Sequence, residues 1–150
     1  MNQLSLNINF EEKSIKEAGA MALLISLHPR HSKNIFAGKK IIELRKREPR
    51  QVDRVLVYET LPTAAIVGWF DGSGVLAYKQ THWIKKQEEL QLTEQEIKDY
   101  LGHKTGFGIV VWQPQLIAPI PLSKMREVGI LPPQGYRYLS GTDLEKLGAA

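Results

Sequence analysis

Residues 22–47 read ALLISLHPRHSKNIFAGKKIIELRKR, and this stretch predicts a strand, a short helix and a second strand in that order. ALLISL is a continuous apolar run, which is typical of a buried strand. The next two residues, His28 and Pro29, end that strand, because proline lacks an amide hydrogen and restricts the residue before it. A short helix is predicted over residues 30–37, and the second strand over residues 41–46.

Further β-rich segments follow along the chain. VDRVLVYE (residues 52–59) and AIVGWF (residues 65–70) are joined by TLPT, which predicts a hairpin, and the DGSG after them predicts a turn. GFGIVVW (residues 106–112) predicts another strand. QLIAPIPL (residues 115–122) predicts a strand at a sheet edge, because its prolines cannot donate to a ladder.

Helical segments interrupt these strands at irregular intervals. Trp83, Ile84 and Gln87 lie at helical spacing, and Thr93 and Glu96 predict a capping box at the start of a further helix. A regular strand–helix alternation would predict a doubly wound parallel sheet, and this chain lacks it. We therefore predict an α+β fold, a small barrel of mixed strands with flanking helices.

Length and composition limit the number of domains and the class of protein. The 150 residues suit one domain, which we assign to residues 22–150, and residues 1–21 form a polar, weakly patterned arm. No apolar run approaches the ~20 residues that span a bilayer. The absence of cysteine excludes disulfides and thiolate zinc sites, and no secretory signal is present, so we predict a cytoplasmic protein without membrane association.

Positive charge is concentrated in one part of the chain. Residues 28–54 contain nine basic and three acidic side chains, whereas residues 88–99 contain five acidic side chains and one lysine. This uneven distribution is typical of a protein with an anionic partner at one surface. A solvated lysine-rich face would give the same pattern, so charge alone leaves both interpretations open.

The basic segment centres on GKKIIELRKR, which places an acid among cations. Strand alternation turns Ile42 and Leu44 toward the core. The charged residues on the opposite face are Glu43, Arg45 and Arg47. Glu43 beside Arg45 can hold the guanidinium group and leave its other donors for a phosphate or a base edge. An exposed ion pair worth ~0–1 kcal/mol would have the same spacing.

The histidines do not predict a metal site. His28 and His31 are three residues apart, which could suit a metal, but no further ligand accompanies them. The chain also lacks a glycine-rich phosphate loop of the Walker or dinucleotide type. We therefore predict neither a metal nor a cofactor.

The order of these motifs resembles the ASCH domain, a branch of the PUA-like superfamily. That family has an apolar strand that ends in a proline turn, then a short helix, then a Gly-x-Lys-x-x-Glu-x-Arg motif. This chain supplies the motif as Gly38, Lys40, Glu43 and Arg45. A helical tryptophan, the GFGIVVW strand and the PPQGYRYL ending are also similar, so the resemblance covers roughly residues 22 to 140.

The resemblance implies a PUA-like pseudobarrel with a cleft beside the motif strand, and RNA or a nucleotide as the partner. Some small family members are described as predicted transcriptional regulators. Others are enzymes, which remove the acyl group from N4-acetylcytidine or act as ribonucleases. In the amidohydrolase group the motif lysine assists a threonine at the position that Glu43 occupies here, so we do not carry that activity over.

We predict an RNA- or nucleotide-binding protein that regulates transcription, translation or RNA metabolism. The predicted binding residues are His28, Arg30, Lys40, Glu43, Arg45 and Arg47. The cations would contact phosphates or a base edge, and the glutamate would orient its neighbouring arginine. Tyr58 or Trp69 is a candidate surface for base stacking, and a core position for both is the competing interpretation.

Two other functions remain open on the sequence. The protein could be an RNA-directed hydrolase that uses Lys40 and Glu43 as an acid–base pair, with His28 as a candidate general base. It could also be a scaffold whose basic face binds an acidic protein. The sequence predicts nothing about the oligomeric state.

Overall fold

The computed structural model describes residues 22–50 and 53–148, and the predicted arm at residues 1–21 lies outside them. A six-stranded sheet, curled into a half-barrel, carries helices on its flanks. The strands are β1 (Ala22–Leu27), β2 (Ile42–Arg45), β3 (Arg54–Glu59), β4 (Ala65–Tyr78), β5 (Gly106–Pro121) and β6 (Tyr136–Leu139). The helices are α1 (Pro29–Phe36), α2 (Gln80–Trp83), α3 (Gln87–Leu90), α4 (Glu94–Leu101), α5 (Leu122–Glu127) and α6 (Gly141–Gly148), and a 3-10 turn (Ile84–Lys86) joins α2 to α3.

The sheet is mixed, as the sequence predicts. Its strand order is β2-β5-β4-β3-β1-β6, with β1 parallel to β3 and every other pair antiparallel. The predicted β3–β4 hairpin is present. The α+β class and the mixed pseudobarrel with flanking helices are therefore confirmed.

The prediction of a turn at DGSG was wrong. This segment lies inside β4, which continues to Tyr78. The register between β4 and β5 shifts between Gly72 and Val75, so an irregularity in the ladder accommodates the glycines without ending the strand. Glycine in a strand interior often marks such a bulge, and sequence alone does not separate a bulge from a turn.

The two strands predicted over residues 106–122 are one strand, β5. Its regularity breaks at Gln113, which has a φ of +49°. The first half of β5 pairs with both β2 and β4, whereas the second half pairs with β4 alone. Pro119 and Pro121 lie in that second half, so their predicted edge position is confirmed.

β1 is buried on both faces, which explains why ALLISL has no polar alternation. Ala22 and Leu24 pack in one cluster with residues of β3, β4, α5 and α6. Leu23 and Ile25 pack in a second cluster, which includes Ile35 of α1. The strand therefore sits at the centre of the core and fixes where α1 begins.

A third cluster covers the outer side of β2. Ile42 and Leu44 pack against the buried ring of Trp83 and against Ile97 and Leu101 of α4. Their predicted inward direction is confirmed. Because strand side chains alternate, Glu43 and Arg45 project from the opposite side of β2.

Gly108 of β5 allows the sheet and this helical layer to approach closely. A Cβ atom at Gly108 would overlap the ring of Trp83 and lie 2.7 Å from Ile42 Cγ2. The ring is held in place, because its Nε1 donates to the Gly106 carbonyl at 3.0 Å. Gly108→Ala is therefore expected to lower the free energy of unfolding by about 1–3 kcal/mol in urea denaturation. Gly135→Ala, whose Cβ meets open space, is the control, and equal losses would contradict this packing.

Some predictions about the whole chain are not decided by the fold. The division into an arm at residues 1–21 and a domain at residues 22–150 stays a prediction. Within the part of the chain that the structure describes, no helix is long and apolar enough to cross a membrane. The cytoplasmic location also stays a prediction.

Candidate functional site

A cleft of about 490 Å³ opens beside β2, between the end of β1 and helix α4. Four of the residues predicted from the sequence line it, and they are His28, Lys40, Glu43 and Arg45. His31, Glu96, Asp99 and Tyr100 also line the cleft. The cleft therefore brings together side chains from α1, β2 and α4 that are far apart in the sequence.

Lys40, Glu43 and Arg45 form a buried ionic triad at the floor of the cleft. Their exposed fractions are only 2%, 5% and 9%. Glu43 Oε2 accepts from Arg45 Nε at 3.0 Å and lies 2.9 Å from Arg45 Nη2, while Glu43 Oε1 lies 3.5 Å from Lys40 Nζ. One carboxylate thus holds both cations, and the interpretation as an exposed ion pair was wrong.

Lys40 precedes β2, so its side chain does not follow the alternating side-chain directions of that strand. Its backbone amide donates to the Asn34 carbonyl at 3.0 Å, at the end of α1. Its Nζ donates to the Leu90 carbonyl at 2.5 Å, and the Ile41 amide donates to the Glu89 carbonyl at 2.9 Å. The chain is therefore anchored at the ends of α1 and α3, and the lysine is turned into the cleft rather than into the third cluster.

Burial lowers the pKa of the Lys40 side chain. Desolvation lowers the pKa of its ammonium group from 10.5, while the charge of Glu43 and the hydrogen bond to it act in the opposite direction. The Arg45 side chain contributes a smaller lowering of the same pKa. A lysine of this kind gives up a proton more readily than an exposed one.

His31 lines the cleft but is not among the binding residues predicted from the sequence. The sequence suggested it only as a metal ligand, and that role was rejected. Burial lowers its pKa from 6.5, and the nearby Lys40 charge lowers it further. Within residues 22–50 and 53–148, its buried Nδ1 has no hydrogen-bond partner, and no three acidic or histidine side chains are placed to hold a metal ion. The predicted absence of a metal stays a prediction.

Arg30 does not line the cleft itself, and its guanidinium group binds Glu96, which does. The contacts are 2.6 Å from Nη1 to Oε2 and 3.0 Å from Nη2 to Oε1. Glu96 also completes the predicted capping box with Thr93, which is confirmed. The hydrogen bond from Arg30, followed by the one from the Thr93 amide, lowers the pKa of Glu96 to about 2.

The Arg30–Glu96 pair makes stability depend on pH in a defined range. The folded pKa of about 2 lies below the ordinary value of 4.5, so the stabilisation is complete above pH 4.5 and is lost as pH falls toward 2. Because these side chains are 52% and 36% exposed, Glu96→Gln is expected to cost only about 0.5–1 kcal/mol at neutral pH. Urea denaturation of both proteins at several pH values checks this.

Glu94→Gln is the matched control, because it removes the same charge from the same helical turn. Among the described residues Glu94 pairs with Lys98 alone, at adjacent turns of the same helix, so its expected cost is about 0.3–0.5 kcal/mol. The cost of Glu96→Gln should shrink as pH falls from 4.5 toward 2. A cost that is equal at both ends of this range would contradict the role assigned to the pair.

Arg47 lies outside the cleft but next to it. A second groove of about 430 Å³ begins at Arg45 and Tyr100, which line both openings. Arg47 lines this groove together with Tyr136. The predicted binding residues are thus divided among the cleft, its rim and the adjoining groove.

The two aromatic residues proposed for base stacking lie in the core. Tyr58 and Trp69 are 5% and 2% exposed, because they belong to strands β3 and β4 inside the sheet, where both faces are covered. Tyr100 is the exposed aromatic residue at the cleft. Its helix could have indicated this, because Ile97 and Leu101 face the core and Tyr100 lies one position off that face.

Comparisons with known proteins agree with this fold. The ASCH domain profile matches residues 25–115. A Zymomonas mobilis protein named as an ASCH domain-containing ribonuclease is 31% identical over 130 residues, which are 83% of this chain and 88% of the relative. A crystal structure of ASCH from Zymomonas mobilis has a TM-score of 0.78 at 28% identity, over 85% of this chain and 94% of that one.

A mutant form of the Zymomonas mobilis protein, with one tyrosine changed to phenylalanine, has also been solved. It has a TM-score of 0.78 at 27% identity, over 85% of this chain and 96% of that one. The profile match spans more than half of the sequence and includes the whole Gly38-to-Arg45 motif. This chain belongs to the ASCH domain family.

Proposed function

We propose that the protein binds single-stranded RNA in the cleft and cleaves its backbone. The observation that carries this proposal is the buried triad of Lys40, Glu43 and Arg45 at the cleft floor. Both oxygens of Glu43 contact cations, so the glutamate positions them instead of accepting a proton. The contacts of Arg45 to Glu43 and to the Ser26 carbonyl use Nε and Nη2, which leaves Nη1 for a phosphate.

Cleavage through the ribose needs a proton acceptor, a proton donor and a group that stabilises charge on the phosphate. We assign these roles to His31, Lys40 and Arg45 respectively. The 2′-oxygen attacks phosphorus as His31 takes its proton, and the bond to the 5′-oxygen breaks as Lys40 protonates that oxygen. The products are a 2′,3′-cyclic phosphate and a 5′-hydroxyl end. The lowered pKa of His31 favours the neutral imidazole that accepts a proton, and the lowered pKa of Lys40 makes its ammonium group a readier proton donor.

The family relationship supports RNA as the substrate. A relative with 31% identity is named a ribonuclease. The concentration of basic residues between positions 28 and 54 supports an anionic ligand. Deacylation of N4-acetylcytidine is less well supported, because Glu43 replaces the threonine nucleophile of that group.

An RNA-cleaving protein acts in RNA metabolism, which is one of the regulatory roles predicted from the sequence. A regulator that acts on promoters would recognise double-stranded DNA. The proposal therefore favours regulation at the level of RNA. Binding to double-stranded DNA would distinguish a promoter-binding regulator from an RNA-cleaving protein.

The test is a panel of end-labelled nucleic acids incubated with the purified protein. The panel contains single-stranded RNA, double-stranded RNA, single-stranded DNA and double-stranded DNA. We expect cleavage of single-stranded RNA with cyclic phosphate ends, identified by mass spectrometry, and no cleavage where the scissile ribose lacks its 2′-hydroxyl.

Each other outcome has a defined meaning. RNA binding without products would support a binding module and contradict the cleavage step. Products with 3′-hydroxyl ends would contradict the assigned chemistry. Release of acetate from N4-acetylcytidine would favour the amidohydrolase, and an absence of RNA binding at low salt would overturn the proposal as a whole.

A further inference from the structure

The segment that follows β2 carries three cations, each placed over a tyrosine ring. Lys46 Nζ lies 4.9 Å from the ring centre of Tyr100. The guanidinium carbons of the next two lie 4.6 Å and 5.0 Å from their ring centres, and these pairs are Arg47 with Tyr136 and Arg50 with Tyr138. We name these six residues the basic–aromatic strip. It begins at the groove that shares Arg45 and Tyr100 with the cleft.

Hydrogen bonds hold the Arg47 and Arg50 part of the strip against the tyrosines of the edge strand β6. Arg47 Nε donates to the Tyr136 hydroxyl at 3.0 Å, and that hydroxyl donates to the Glu48 carbonyl at 3.3 Å. The Arg50 amide donates to the Tyr138 hydroxyl at 2.6 Å. These two pairs of the strip are therefore organised before any ligand binds, which lowers the entropic cost of capturing one.

The charges of the strip are not neutralised within the described part of the chain. No carboxylate there lies within ion-pair distance of Lys46, Arg47 or Arg50. The cleft itself differs, because its Lys40 and Arg45 share Glu43. Three neighbouring cations that make no close ion pair repel one another, and a bound anion would reduce that repulsion.

A purely structural role does not account for this arrangement. Exposed cation–π contacts contribute only about 0.5–1 kcal/mol each. The strip repeats such a contact three times, beginning at the groove beside the cleft. Phosphates that recur along a single strand of RNA match a set of separate neighbouring cations, and tyrosine and arginine also provide surfaces for base stacking.

We propose that the basic–aromatic strip is a second subsite, which captures the phosphates and bases that flank the nucleotide held in the cleft. The inference rests on the proposed function and extends it. The substrate is then an RNA strand several nucleotides long, and neither a free nucleoside nor a mononucleotide uses the strip. The cleft selects the reacting nucleotide, while Arg47 and Arg50 supply most of the affinity for the rest of the strand.

The test compares RNA binding by two proteins in a Lys40→Met background, which separates capture from cleavage. One protein carries Arg47→Gln and Arg50→Gln, and the other does not. Fluorescein-labelled RNAs of about two and about eight nucleotides are titrated at several salt concentrations. A phosphate neutralised on a single strand contributes a salt slope of about 0.7, which is a factor of about five at ~0.1 M salt.

We expect the double substitution to weaken binding of the longer RNA about 25-fold at ~0.1 M salt and to reduce its salt slope by about 1.4. Binding of the dinucleotide should be unchanged. Arg126→Gln with Lys146→Gln is the matched control, because it removes two exposed charges from α5 and α6, away from both openings. It should change neither affinity.

The possible failures are distinguishable. Equal losses for short and long RNA, or a loss no larger than that of the control, would overturn the strip while leaving cleavage in the cleft intact. Strand capture by the strip together with no cleavage by the wild-type protein would overturn the proposed reaction alone. Binding of an acidic polypeptide in place of RNA would identify a protein partner and contradict the inference.

Discussion

Lys40→Met is expected to lower the rate of RNA cleavage at least ~100-fold while the protein remains folded. The proposed reaction needs a proton donor for the leaving oxygen, and a positioned acid or base typically contributes about 10²–10⁴-fold. Methionine is close to lysine in length and cannot transfer a proton. Glu43 keeps its contact to Arg45 in this variant, so the remaining pair stays neutralised. Initial rates on labelled RNA, with circular dichroism to establish folding, measure the effect.

Lys39→Met is the matched control for this prediction. Lys39 is the neighbouring residue, carries the same charge and is exposed, and it does not line the cleft. Its replacement should leave the cleavage rate within about two-fold. Lys40→Arg should be nearly as inactive as Lys40→Met, because a guanidinium group keeps its proton at working pH. Full activity in Lys40→Arg would show that only the charge matters and would contradict a proton transfer.

The pH profile gives an independent readout of the same lysine. A proton donor must be protonated, so the cleavage rate should fall as pH rises through the pKa of Lys40. Burial lowers that pKa below 10.5, and the descending limb should therefore lie below the range of an ordinary lysine. The limb should be absent from the residual activity of Lys40→Met. A limb that persists there would assign the titration to another group.

The two-residue periodicity of strands accounts for what the sequence predicted about the site. This periodicity is local, so the opposite directions of Leu44 and Glu43 followed from their adjacency alone. The periodicity does not predict whether the second face of a strand is exposed to water or covered by another layer of the fold. Glu43 is only 5% exposed because β1, α1 and α4 surround that face, and these contacts form across the fold. The sequence therefore predicted the members of the triad but not their burial.

The basic–aromatic strip could not be predicted from the sequence, for a related reason. Arg47 and Tyr136 are 89 positions apart, and they meet because β6 joins the far edge of the sheet beside β1. No local pattern encodes that return of the chain. In the sequence, the PPQGYRYL segment shows only a resemblance to the family. Its tyrosines lie two positions apart, so alternation would place them on one face once β6 is recognised as a strand.

Glu43→Ala is expected to lower the free energy of unfolding by about 3–5 kcal/mol. Glu43 is the carboxylate shared by Lys40 and Arg45, and its removal leaves two buried cations without a counter-ion. Such a loss is a large part of the roughly 5–15 kcal/mol that stabilises a domain of this size. Urea denaturation followed by tryptophan fluorescence measures it. Glu48→Ala, at an exposed position of the same segment, should change stability by less than about 0.5 kcal/mol.

Replacing the whole triad separates its contribution to folding from its contribution to chemistry. In the triple variant Lys40→Met, Glu43→Leu, Arg45→Met, no buried charge remains without a partner. Buried ion networks replaced by apolar side chains of similar volume are often as stable as the original or more so. The triple variant should therefore recover wild-type stability and remain inactive on RNA. If it were as unstable as Glu43→Ala, the triad would be required for folding. Recovered stability without activity would mean that the charges of the motif are retained for what they do to RNA, at no benefit to the fold.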